Sequence, residues 1–190
     1  FSVVAVLVGV TLVYGAARIL PQLRSEEKGV TVVGVSEEFG LKLTMALEKT
    51  TFQLGEPVNI TLSVTNIGNQ TVDYRIFHSP HRFDFYVYNT TYERLYVQGK
   101  GPWASMVDRI VLNPGESISV GFQWLQTCNN YTIAPAGTPV TPGTYYIVGQ
   151  TGPIREINGE VMYEYLPIES DPHRGYRVET EPVEITITQP

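Results

Sequence analysis

The sequence predicts an N-terminal hydrophobic α-helix plus an all-β, immunoglobulin-like antiparallel sandwich. Three observations predict it. Phe1 to Ala17 contains no charged residue, and Arg18 is the sole charge before Arg24. From Leu41 onward, apolar and polar residues alternate with a period of two. The strand-like runs are short and separated by turn residues, leaving little room for helices. With 190 residues, the chain suits one ordinary domain plus an appendage. The expected division is 1–28, an assembly or transmembrane helix with its hinge, and 29–190, an extracellular β domain.

The first segment reaches about 20 residues with Ile19 and Leu20, which as a helix spans about 30 Å, enough to cross a hydrocarbon layer. Pro21 limits it, and the charged run from Arg24 to Gly29 follows as a water-seeking connection, with Pro21 and Gly29 as the hinge. Four readings stay open: a secretory signal peptide, a membrane anchor, a helix packed in a filament core, and an extended tail that adds a strand to a neighbour's sheet. For core packing the assembly candidates are Phe1, Val3, Val6, Gly9, Val10 and Val13. Ala5 and Gly9 share a helix face and permit close backbone approach. The segment is apolar all round, so its periodicity does not choose between lipid and protein neighbours. Its β-branched valines suit strand addition, whereas its length and lack of alternation do not.

The strands are read in order. Leu41, Leu43, Met45 and Leu47 alternate with Lys42, Thr44, Ala46 and Glu48, a half-buried strand. Gly55, Glu56 and Pro57 form a turn. Val58, Ile60, Leu62 and Val64 then face one way while Asn59, Thr61, Ser63 and Thr65 face the other. Asn66 to Asn69 turn the chain back. Further strands are expected at 72–77, 83–88, 94–97, 118–125, 144–149 and within 183–188. The stretch from Gln150 to Arg177 is too long for a hairpin loop and is expected to be an excursion that contacts neighbours.

Two resemblances attach to these residues. A mature chain opening at Phe1 directly on a hydrophobic helix, followed by a hinge and a β-rich domain, resembles the archaeal type IV pilins. That resemblance implies an end created by processing just before Phe1; Ala5 stands where bacterial pilins usually carry glutamate. The stretches "FQLGEPVNITLSVTNIGNQTVDYRI", "FDFYVYN", "LNPGESISVGFQW" and "TPGTYYIVG" resemble successive blocks of BsuPI-like domains, named after an intracellular proteinase inhibitor, over about Leu41 to Gly149. This second resemblance implies a β-sandwich.

A net charge of −6 with scattered basic residues excludes the electrostatic footprint of a nucleic-acid binder. A single cysteine, Cys128, excludes an intramolecular disulfide. Asn59, Asn69, Asn89 and Asn130 each open an N-glycosylation sequon, so N-linked glycans are the expected addition and an extracellular location follows. No catalytic motif is present, and no enzyme is expected. His78, His81 and Asp84 are weighed as a zinc cluster and read instead as a solvated loop; Glu169, Asp171 and Glu179 are weighed for a hard cation and read as a soluble face. Trp103, Trp124 and tyrosines such as Tyr145, Tyr146, Tyr163, Tyr165 and Tyr176 are divided between core and a carbohydrate or subunit surface. The expected function is a structural subunit of a cell-surface filament. It would be inserted in the membrane before assembly, self-associate as a helical homopolymer, and display cell-surface or carbohydrate contacts. The alternatives are a membrane-anchored binding module of the envelope and a surface proteinase inhibitor.

Overall fold

The computed structural model describes residues 29–36, 39–77, 83–98, 107–151, 154–158, 160–161 and 178–190. Thirteen strands make up their regular structure: β1 (Val30–Ser36), β2 (Leu41–Leu47), β3 (Thr51–Gln53), β4 (Val58–Asn66), β5 (Val72–Phe77), β6 (Phe83–Tyr88), β7 (Arg94–Val97), β8 (Val107–Leu112), β9 (Ser117–Trp124), β10 (Gly143–Thr151), β11 (Ile154–Ile157), β12 (Glu160–Val161) and β13 (Val183–Thr188). The helix-plus-sandwich expectation is therefore corrected to an all-β fold: the described residues contain no helix, and none long and apolar enough to cross a membrane. The expected helix, with Phe1, Val3, Val6, Gly9, Val10, Val13 and Pro21, lies outside the described residues. Gly29, the other expected hinge residue, runs straight into β1. A Cβ there would stand 2.8 Å from the Leu47 carbonyl oxygen, so the chain passes too close to β2 for a side chain.

The strands form three sheets, ordered β1-β2-β4-β9, β3-β13-β10-β6-β7 and β12-β11-β5-β8. Alternation dictates the first two. Along β2, β4 and β13 the large apolar positions are buried and the residues between them, polar except for Ala46, are more exposed, as a strand with one face on a core requires. All pairings are antiparallel except β3 with β13, which is parallel. This corrects the purely antiparallel expectation. β3 follows β2 through a short connection yet pairs in the opposite sheet, where it runs alongside the last strand of the chain.

The core lies between the first two sheets and extends to Val72, Tyr74, Ile110 and Leu112 of the third. Phe122 and Trp124 of β9 meet Phe85, Tyr96 and Tyr145 from the facing sheet, with centroids 5.7 Å apart for Phe85–Phe122, 6.3 Å for Tyr96–Trp124 and 6.0 Å for Trp124–Tyr145. Gly149 on β10 approaches the other sheet so closely that a Cβ would stand 2.5 Å from Leu62 Cδ2. Each fully buried aliphatic or aromatic side chain contributes roughly 1.5–3 kcal/mol of transfer free energy.

The third sheet grows from a corner in the first. β4 pairs with β9 as far as Thr65 opposite Ser117, and beyond the corner β5 pairs with β8 from Val72 opposite Leu112. Asn66, with no exposed surface, holds that corner. Its Nδ2 donates to the carbonyls of Gln70 (2.7 Å) and Leu112 (2.8 Å), and its Oδ1 accepts from Gly68 N (2.9 Å). Part of the expected 150–177 excursion thus proves to be sheet: Gln150 and Thr151 close β10, and β11 adds to the free side of β5. Residues 162–177 lie outside the described residues.

Candidate functional site

Between β9 and β10 the chain makes an 18-residue connection, 125–142, and hydrogen bonds hold it on both flanks. At its start Trp124 is buried and its indole Nε1 donates to Thr127 O (3.0 Å). Gln126 adopts a left-handed φ of 55°, which turns its amide onto the β3–β4 turn. Nε2 donates to Gln53 O (2.9 Å) and Glu56 O (2.7 Å), and Oε1 accepts from Gly55 N (2.8 Å). The two arms of the connection then pair through Val140 N to Gln126 O, Cys128 N to Thr138 O and Gly137 N to Cys128 O, each 2.8–2.9 Å.

The same connection clips onto the outer edge of β7. Asn129 Oδ1 accepts from Val97 N (3.0 Å) and its Nδ2 donates to Val97 O (2.8 Å). Asn130 Nδ2 donates to Arg94 O (2.7 Å), and Cys128 Sγ lies 3.2 Å from Leu95 O. At the apex, Asn130 O accepts from the amides of Ile133 and Ala134. The loop turns large apolar side chains outward: Tyr131 is 71% exposed, Leu125 59% and Ile133 41%.

The β6–β7 turn stands beside this loop. Asn89 Oδ1 accepts from Thr91 N, Thr91 Oγ1 and Glu93 N, which fixes the turn. Tyr92, at φ 59°, is thrown outward and stacks on Tyr146, with centroids 5.5 Å apart and planes 7° from parallel. Glu184, Tyr146, Tyr88 and Arg94 occupy consecutive lateral positions across β13, β10, β6 and β7. Burial, then neighbouring Tyr86, push the Tyr88 phenol up; burial, then the Glu184 carboxylate, do the same for Tyr146. The Tyr146 phenol also hydrogen-bonds the Glu184 carboxylate. The arrangement is apolar at its apex and polar at its base.

The expected site residues fall in several places. Asn59 is exposed on β4, where its side chain donates to Glu48 Oε1 and accepts from Gln123 Nε2; Asn69 is exposed in the corner turn. Asn89 and Asn130 are half-buried, and both help to shape the loops just described. Asp84 is buried within β6 rather than in a loop, while His78 and His81 lie outside the described residues. Among the described residues no group of His, Cys, Asp and Glu is arranged to hold a metal ion. Trp124 and Tyr145 are core and Tyr146 is surface; Trp103, Tyr163, Tyr165, Tyr176, Glu169 and Asp171 lie outside the described residues. Sequence reasoning missed the 125–142 loop as a unit. Its signal was present in the run of asparagines, prolines and isolated large apolar residues between two clear strands.

Residues 45–152, more than half of the chain, match the family model described as BsuPI, intracellular proteinase inhibitor. The chain belongs to the BsuPI family. The match runs from mid-β2 to the end of β10, so the BsuPI region contains the 125–142 loop, the β6–β7 turn and the Asn66 corner. No curated protein matches the chain. Among solved structures the BsuPI chain is similar to a β-glucosidase from Listeria innocua (13% identity, TM-score 0.43, covering 78% of this chain and 16% of that one). It is also similar to a sporulation control protein from Bacillus subtilis (18%, 0.40, 80% and 50%) and to a CARDB domain from Pyrococcus furiosus in complex with di-metal ions (15%, 0.39, 82% and 100%). The chain spans about a sixth of the length of the β-glucosidase. None of these findings supports the pilin resemblance.

Proposed function

We propose that the chain is a proteinase inhibitor that meets its target with the apex of the 125–142 loop, flanked by Tyr92. The observation that carries this reading is the bracing of that loop. An inhibitory loop must hold one conformation in the free protein, because freedom lost on docking subtracts from affinity. Here Gln126 ties one flank of the loop to the β3–β4 turn, and Asn129 and Asn130 tie the other to β7. Large exposed side chains on a rigid frame are also the residues that concentrate binding energy in an interface. The family match supports the same reading, and it requires no catalytic group, cofactor or metal. The expected N-linked glycans remain a proposal for Asn59 and Asn69, whose side chains stand in solvent; intact-mass measurement on the protein from its natural source tests it.

The deciding experiment is inhibition of a panel of serine, cysteine and metalloproteinases by the full chain. The expected result is inhibition of one class, weakened roughly tenfold or more by Tyr131→Ala with Ile133→Ala. Inhibition of none of them, or inhibition indifferent to both substitutions, overturns the reading.

A further inference from the structure

The apex of the 125–142 loop is closed around one residue. Asn130 O accepts from Ile133 N (3.0 Å) and Ala134 N (3.1 Å), and Asn130 Oδ1 accepts from Thr132 N (3.2 Å) and Thr132 Oγ1 (2.8 Å). The amides of Thr132, Ile133 and Ala134 are thus all directed at Asn130. Its Nδ2 meanwhile donates to Arg94 O (2.7 Å) and its own amide to Leu95 O (3.2 Å), so the residue that gathers the apex is itself tied to β7. A hydrogen bond from an amide to the carbonyl four residues earlier closes an α-helical turn. Residues 130–134 in such a turn span about 6 Å, against about 13 Å for the same residues fully extended. The chain then turns again at once: Thr138 N and Oγ1 both donate to Pro135 O (3.1 and 2.7 Å), and Gly137 takes a left-handed φ of 85°.

That backbone has the wrong shape for cleavage. A proteinase cuts a chain that lies extended in its cleft, where the backbone pairs much as an added strand does, and the oxygen of the scissile carbonyl must turn into the donors of an oxyanion hole. Here the Asn130 carbonyl, which belongs to the Asn130–Tyr131 bond, already accepts two amides, and the amide of Thr132, on the far side of the Tyr131–Thr132 bond, is held by the Asn130 side chain. What the turn offers is side chains, the exposed Tyr131 and Ile133. From 125 to 142 no residue is charged, in a chain of which 17% is charged, so the complementary surface is neutral and apolar.

We propose that the loop inhibits as a plug and not as a substrate: Tyr131 and Ile133 fill a neutral, apolar pocket of the proteinase, while the 130–134 turn withholds the peptide bonds of the apex from the catalytic groups. This rests on the inhibitory reading above and adds how the loop acts and what kind of pocket receives it. Asn130 is the positioning residue of the device. Its side chain fixes the Thr132 amide on one side and β7 on the other, so the turn keeps its shape when a cleft would draw it straight.

The test holds the full chain with each serine, cysteine and metalloproteinase of the panel, at equimolar and at catalytic amounts of enzyme, and follows residual activity together with the intact mass of the chain. The expected results are inhibition that does not fade, a chain left uncut within 130–135, and inhibited enzymes whose primary pocket is neutral. Asn130→Ala releases the Thr132 amide and the tie to Arg94 O, and raises cutting within 130–135 by the same enzyme roughly tenfold or more. Cutting elsewhere stays unchanged, which separates a loosened apex from an unfolded chain. Inhibition that fades as the parent chain is cut within 130–135, or inhibition confined to enzymes with a charged primary pocket, overturns the plug and leaves the inhibitory reading standing. An Asn130→Ala chain cut no faster than its parent overturns the role given to the turn. Inhibition of no enzyme in the panel overturns both readings together.

Discussion

Asn66 shows how much one polar side chain can carry. Its amide gives two hydrogens to Gln70 O and Leu112 O and accepts one from Gly68 N, all without solvent. Asn66→Asp keeps the shape but turns a donor into an anion facing two carbonyl oxygens. We expect a loss of about 3 kcal/mol or more by urea denaturation at pH 7, and a smaller loss for Asn66→Ala. Gly149 is constrained by space instead: Gly149→Ala drives a methyl into Leu62 and should cost about 1–3 kcal/mol. Leu62→Val in the same chain should recover part of that, so a double-mutant cycle with strictly additive costs would refute the contact. Asp73 gives the pH prediction. Hydrogen bonds from Arg109, 2.6 Å at the closest, hold its carboxyl below the usual range. A depressed folded pKa means stability present above the unfolded value of about 3.9 and lost as pH falls through the lower folded one. The pair is largely exposed, so its worth is under about 1 kcal/mol. Asp73→Asn should therefore lower the denaturation midpoint slightly at pH 7, with the difference vanishing in strong acid.

At the scale of elements, the 125–142 loop and the Asn66 corner are irregular backbone made rigid by side-chain amides. Gln126 does for the loop what Asn66 does for the corner, tying it to Gln53, Gly55 and Glu56 across the end of the sandwich. Gln126→Ala should raise amide exchange across 127–139 while leaving β2 and β4 protected, and should weaken proteinase inhibition more than it lowers the melting temperature. An exchange increase spread evenly over the sandwich would show that the loop is not a separable unit. These devices were hard to read in advance because the partners of Gln126 lie 70 to 73 residues away and Leu112, which Asn66 holds, lies 46 away. In the sequence, Gln126 is one more polar residue after a strand, and Asn66 resembles an ordinary turn asparagine.

At the scale of the whole molecule, the closing strand decides whether the sandwich exists. β13 buries Val183, Ile185 and Ile187 and joins β3 to β10, linking residues more than 130 positions apart. A chain ending at Pro182 should lose cooperative thermal unfolding, and a cooperative transition in that truncated chain would refute this role. Such long-range pairing also predicts folding in milliseconds to seconds rather than microseconds. What the sequence determined alone was the set of strands with one buried face: 41–47, 58–64 and 183–188 are legible because a period of two is a local property. β1, in the valine-rich run after Gly29, and β8, with two charges inside it, lack clean alternation and went unread. The helix expected from the apolar N-terminal segment finds no counterpart in the described residues. Sheet membership, the parallel β3–β13 pair, the corner and the braced loop were decided by tertiary structure, since each depends on which distant backbone group satisfies a donor or acceptor, and that choice exists only once the sheets have packed.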